Sequence, residues 1–318
     1  MVATVITPVC LKSHDAYGGR PPAIPIGELI RLIPDILSRS IRMAFMGRST
    51  VRGSTPNWLR SMSDIRFTDL QGSKDETKLF FECPTLGSAA PQLYAQQEFE
   101  WTERPSADDC GFDLYGDVIT AVRSQDRDSD RFDMQLLKRV GLLQRGINGT
   151  FQQLEFTSRR YPADCPVVLD ERTIQIARDF TSRIPKSDQV RVVGKLDMLR
   201  ASTQSFAIKT DDGSEVRGIL PEGCLENAKE LLAHRVLIIG QAAYRPSGRL
   251  LRVDAIEIQE ASKEGAFFSR VPQPKTARSN IGQIVRDQSH KKGLAAIIGK
   301  WPGQETDDEI ALALQEMD

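Results

Sequence analysis

No two cysteines in the chain stand at the two-residue spacing of a zinc site. The five present, Cys10, Cys83, Cys110, Cys165 and Cys224, are scattered and odd in number, which argues against both a structural metal and a disulfide framework. Nowhere does the sequence approach the ~20 consecutive apolar residues that cross a bilayer. Its start, MVATVITPVCLKSH, lacks the charged-then-apolar pattern of a secretory leader. A cytoplasmic protein with reduced thiols and no membrane association is therefore expected. An excess of one charge is missing too: 42 Lys and Arg stand against 43 Asp and Glu. That balance excludes a wholly basic nucleic-acid protein and is compatible with a local basic patch.

Catalytic signatures are equally scarce. There is no G-x-S-x-G elbow and no H-E-x-x-H pair. The run Gly293–Trp301 looks like a phosphate loop only at first glance. Five residues separate Gly293 from Gly299 where four are required, and Trp301 stands where Ser or Thr must hold magnesium. The histidines are His14, His234 and His290, none with a neighbouring nucleophile. Asp108-Asp109 and the run Asp126-Arg127-Asp128-Ser129-Asp130 gather carboxylates, but alternating Arg and Asp is the pattern of a solvated loop. No metal and no cofactor is called for.

What is present divides the chain into segments. Residues 1–24, with Gly18, Gly19, Pro21 and Pro22, read as a flexible arm. Residues 25–186 read as an α+β domain. A helical apolar period runs through Ile26, Leu29, Ile30, Ile33, Ile36, Leu37 and Ile41, with Pro34 set to kink or split it. Strands follow over 65–70 and 77–83, helices over 112–123 and 131–146, a strand over 150–157 and a helix over 171–184.

Residues 187–260 carry the clearest pattern. Strands are expected over 190–199, 205–210, 215–220, 235–244 and 250–258. Asp212-Gly213 makes a hairpin turn, and a short helix, ENAKELLA, precedes the fourth strand. The order β-β-β-α-β-β resembles an OB-fold barrel. The fold class expected is thus an α+β N-terminal domain, a small five-stranded OB-like β-barrel and a C-terminal helical tail. Lys195, Arg200, Lys209 and Arg217 are candidates to line the face on which such barrels take nucleic acid. Only Phe206 and Tyr244 offer it rings, and Phe206 falls at a core position.

Residues 261–292 form a basic linker, with Lys263, Arg270, Lys275, Arg278, Arg286, Lys291 and Lys292. Residues 293–318 form an amphipathic, acidic tail. Thr306 and Glu309 make a capping box, Asp307 and Asp308 sit in the first turn, and Ile310, Ala313, Leu314 and Met317 make one apolar stripe. A helix of about twelve residues is marginal alone in water and needs a surface to bury that stripe.

The segment Ile298-Gly299-Lys300-Trp301-Pro302-Gly303-Gln304-Glu305-Thr306-Asp307-Asp308-Glu309-Ile310 resembles the closing segment of small bacterial antitoxins encoded beside PIN-domain toxins. The resemblance implies a toxin-like ribonuclease partner. Trp301 and Pro302 would anchor it, Asp307, Asp308 and Glu309 would face its basic channel, and Ile310, Leu314 and Met317 would fill a groove. The leading expectation is therefore a non-catalytic interaction protein of antitoxin type. The alternatives are nucleic-acid binding by the barrel with the basic linker, and an enzyme with its site near Arg48, Arg52, Trp58 and Arg60.

Overall fold

The first residues form a strand, β1 (Thr4–Ser13), and not an arm. Thr7, Val9 and Leu11 alternate inward and are fully or almost fully buried, the period of a strand with one face on a core. The Gly and Pro residues that suggested a loose arm begin only after this strand. The computed structural model describes residues 2–274 except 14, 16, 18, 51–54, 74–75, 96–103, 148, 222 and 262–267. The helical tail and most of the basic linker thus lie outside the described residues.

After β1 come α1 (Ala23–Met46), α2 (Asn57–Met62), β2 (Arg66–Gly72), β3 (Glu76–Pro84), α3 (Leu86–Ala89) and α4 (Pro91–Tyr94). Then follow α5 (Gly111–Arg123), α6 (Met134–Leu142), α7 (Gln144–Ile147), β4 (Phe151–Phe156), β5 (Val167–Asp170) and α8 (Glu171–Arg183). The strands form one antiparallel sheet in the order β2-β3-β1-β4-β5. β1 is its centre. Pro8 pairs with Phe80 of β3, while β4 joins only from Val9 onward. Proline thus occupies the stretch of β1 with a single neighbouring strand, where a missing amide donor costs least.

Helix α1 runs unbroken through Pro34. An interior proline costs about 3 kcal/mol, and the buried stripe Leu29, Leu32, Ile33, Ile36, Leu37 and Ile41 outweighs it. From Leu29 to Leu37 that stripe shares a core with Val9, Phe81, Phe112 and Phe156, while Ile41 packs in a smaller cluster with Leu59, Met62 and Leu114. Tyr115 of α5 stacks on Phe156 of β4 at 5.3 Å. The single helix expected over 131–146 is two helices, because Asp133 caps the first at its N-terminus and the chain turns at Leu143.

The barrel consists of β6 (Gln189–Arg200), β7 (Ser205–Lys209), β8 (Glu215–Ile219), β9 (Arg235–Tyr244) and β10 (Leu250–Glu260), with α9 (Leu225–Glu230) between β8 and β9. It closes in the order β10-β8-β7-β6-β9. All neighbours are antiparallel except β8 and β10, which run parallel. That order is compatible with an OB-like barrel. Val192, Leu196, Phe206, Ile208, Val216, Val236, Ile238 and Val253 fill the interior. Two glycines permit the closure. A Cβ on Gly194 would lie 2.6 Å from the Lys209 carbonyl oxygen, and one on Gly218 would lie 2.3 Å from the Phe206 ring and 2.4 Å from the Val253 carbonyl oxygen.

Part of the expected linker is fastened to the barrel. Ser269 Oγ accepts the Asp211 amide at 2.8 Å, Phe268 lies beside the Arg191 guanidinium at 6.0 Å, and Val271 packs against the barrel core.

Candidate functional site

The barrel meets the N-terminal part through buried and half-buried polar bonds. Arg252 of β10 donates to the Gly47 carbonyl at 2.9 Å and to Asp254 at 2.9 Å, and it lies 3.5 Å from Asp133. Asp133 accepts the Ser49 amide at 2.9 Å and hydroxyl at 2.6 Å, as well as the Gln135 and Leu136 amides that start α6. A second clamp holds the turn between β9 and β10. Arg245 pairs with Asp130, the Ser247 hydroxyl donates to Asp128, and the Ser247 amide donates to the Arg127 carbonyl. The carboxylates of the Asp-rich run are solvent-exposed, as its pattern suggested, and in addition the run pairs with Arg245 and Arg249 across the junction.

Between these parts lies a cleft of about 450 Å³. One wall is the end of α1 with Met43, Phe45 and Met46. The other is the outer side of β6, β7 and β8 with Met198, Ala207 and Arg217. Three methionines give an adaptable apolar surface. The guanidinium groups of Arg131, Arg200, Arg217 and Arg252 also reach the lining, matched by Asp117, Asp130, Asp197 and Glu215.

One carboxylate just before α5 and two on it form a ladder whose last member, Asp117, lines the cleft. Asp109, Asp113 and Asp117 recur every fourth residue and meet Arg159-Arg160-Tyr161. Asp109, fully buried, takes both Arg159 and Arg160. Asp113 accepts the Arg160 amide at 2.8 Å. Asp117 takes Arg160 at 2.8 Å, Arg131 at 3.2 Å and the Tyr161 hydroxyl at 2.9 Å. Burial alone raises the Asp109 pKa, but the bonds from Arg160 and Arg159 outweigh it and hold the carboxyl below its ordinary value. Burial, reinforced by Asp117, pushes the Tyr161 phenol up to about 12, so it stays protonated at neutral pH. Asp109 and Asp117 are ion-paired and Asp113 is held by backbone amides, and among the described residues no group of three or more His, Cys, Asp or Glu could hold a metal ion.

A row of cations crosses β7, β6 and β9. Lys195 of β6 is in register with Lys209 of β7 on one side and with Arg235 of β9 on the other. All three are exposed. Arg235 forms two 2.7 Å bonds with Asp211, whereas neither lysine pairs with a carboxylate among the described residues. On its other side Lys209 stands opposite Glu215 of β8, so the like-charge contact left in the row is Lys195 against Lys209, and like charges directly opposite across strands are destabilising.

No protein-family model, no curated protein and no solved structure matches this chain.

Of the residues singled out from sequence, Arg200 and Arg217 line the cleft, whereas Lys195 and Lys209 do not and instead face each other across β6 and β7. All four share strands β6, β7 and β8. Phe206 and Tyr244 are buried, so neither offers a free ring. Trp301, Pro302, Asp307, Asp308, Glu309, Ile310, Leu314 and Met317 lie outside the described residues, as does Arg52. Trp58 packs on Phe45 at 5.8 Å, and Arg60 points to solvent. Sequence reasoning missed the methionine wall, the Asp117–Arg131 pair and the Phe268–Arg191 contact, since their members lie far apart in the chain. The every-fourth-residue recurrence of Asp109, Asp113 and Asp117 was the one local signal available.

Proposed function

We propose that this is a non-catalytic binding protein that takes single-stranded nucleic acid along β6 and β7. One observation carries the reading: the in-register row Arg235, Lys195 and Lys209. Such a row lowers barrel stability, and a polyanion laid across it removes that cost. Arg200 and Arg217 line the cleft beyond it, with Arg217 paired to Glu215. Phe268, with Arg191 beside it, supplies an aromatic face near the same strand, and base stacking on such faces contributes about 1–3 kcal/mol per base. OB barrels bind oligonucleotides on the face of their second and third strands, the places that β7 and β8 hold in this barrel.

The toxin-binding reading of residues 293–318 rests on sequence resemblance, and no family match supports it. One experiment separates the two. Fluorescence anisotropy with a labelled oligothymidylate is run on the full chain and on a chain ending at Pro274, across about 50–200 mM salt. Barrel binding predicts equal, salt-sensitive affinity for both proteins and weaker binding to duplex. Binding only by the full chain would move the function to the tail, and no binding by either would sink the proposal.

A further inference from the structure

A second cationic centre lies at the end of α1, where the loop after it meets β10. Arg42 is half-buried, and its Nε is buried with no acceptor. Its one hydrogen bond among the described residues is a long 3.4 Å approach to the Ser49 carbonyl, and no carboxylate there pairs with it. Arg39 and Arg48 are close enough for their charges to act on it. Burial, Arg39 and Arg48 all lower the Arg42 pKa, and only Asp35 opposes them.

That carboxylate is already shared. Asp35 accepts Arg39 at 3.0 Å and Arg139 at 3.2 Å. The other nearby acid, Asp133, is filled by Ser49, two α6 amides and Arg252. Helix dipoles do not settle the charge either. The negative end of α1 and the positive start of α6 meet at the same loop, residues 47–49, and offset each other. A guanidinium group that is desolvated, crowded by like charge and short of acceptors is costly unless an anion completes it.

We propose that Arg42, flanked by Arg39 and Arg48, is a seat for one tetrahedral oxyanion, a phosphate group by chemical class. A phosphate presents several acceptor oxygens to forked donors and neutralises the cluster, which a chloride ion cannot match in geometry. The seat is independent of the barrel row, since none of its residues lies on β6, β7 or β8.

The test uses the full chain and inorganic phosphate against chloride at equal ionic strength. The readouts are the thermal midpoint and the 15N resonance of the Arg42 Nε. The expected result is a saturable rise in midpoint with a matching Nε shift. In Arg42→Gln the rise disappears, and in Arg42→Lys, which keeps the charge but loses the fork, the apparent Kd increases roughly tenfold. The variant Lys195→Gln/Lys209→Gln keeps the full phosphate response, so failure of the barrel reading leaves this result intact. An oligothymidylate arm names the source: weaker binding by Arg42→Lys assigns the seat to a phosphodiester, and unchanged binding assigns it to a free phosphate. A wild-type midpoint and Nε signal that move no further in phosphate than in chloride overturn the proposal, as does an Arg42→Lys response equal to wild type.

Discussion

Lys195 on β6 stands directly opposite Lys209 on β7, with both side chains on the outer side of the barrel and neither paired to a carboxylate among the described residues. Stability and binding are therefore set against each other at this pair. Lys195→Glu converts a like-charge pair into an opposite-charge one and should stabilise the barrel by about 0.2–1 kcal/mol in urea unfolding. The same change should weaken binding to single strands. Lys195→Gln/Lys209→Gln should lower the slope of log affinity against log salt by about 1.4, at about 0.7 for each phosphate no longer neutralised. A variant that gains both stability and affinity contradicts this picture.

The two clamps at the junction should differ sharply in worth. Asp133 is buried and serves Ser49, α6 and Arg252 together. Arg252 keeps Asp254 and the Gly47 carbonyl, but Asp133→Ala strips the cap from α6 and leaves the buried Ser49 without its acceptor, and should cost about 2–3 kcal/mol. Asp130, more than half exposed, pairs only with Arg245 across the second clamp, so Asp130→Ala should cost no more than about 1 kcal/mol. Chemical denaturation of the two variants side by side decides it, and equal losses would mean the junction is not organised around Asp133.

Gly218 is fixed by packing at the place where β8 runs parallel to β10. An added methyl meets the Phe206 ring and, less forgivingly, the Val253 backbone oxygen. Gly218→Ala should destabilise by about 1–3 kcal/mol. Gly213→Ala makes a useful comparison, because nothing lies near its Cβ and its penalty comes from the positive φ of 82° alone. A Gly218→Ala variant as stable as wild type would mean that the barrel opens there at little cost.

Asp109 should shape the acid limit of stability. Its folded pKa lies below the ordinary carboxylate value, near 3.9 in an unfolded chain. A depressed pKa gives stability that is fully present above the unfolded value and is lost as pH falls toward the folded one. Stability should therefore drop below about pH 4. Asp109→Asn should be less stable at neutral pH and show a shallower fall on acidification. Parallel pH curves for the two proteins would show that Arg159 and Arg160 do not depend on that charge.

The barrel was legible residue by residue, because short alternating strands, Asp212-Gly213 and the Gly-containing first strand are local signals. β9 falls on residues 235–244, as the pattern expects. β1 was hidden by the Gly and Pro residues that follow it, and β5 by its length of four residues. The carboxylates of the charged run 126–130 are exposed, as its pattern suggested, but its docking role was not legible because its partners, Arg245 and Arg249, lie more than a hundred residues away. The cleft suffers the same difficulty: Met46 and Met198 become neighbours only through folding. Register exposed what composition concealed, since Lys195, Lys209 and Arg235 look ordinary in a chain with balanced charge.

The central position of β1 has a consequence for how the chain must be made and cut. Lys12 pairs with Glu155, 143 residues further on. The first strand to be synthesised thus waits with an open edge until β4 arrives, and contacts of such separation form slowly. Any fragment ending before residue 156 leaves that edge unpaired, a template for another chain. Expression of the N-terminal part alone should succeed only when β4 and β5 are included, and a nonsense codon upstream of them yields an aggregation-prone product, not a smaller working protein.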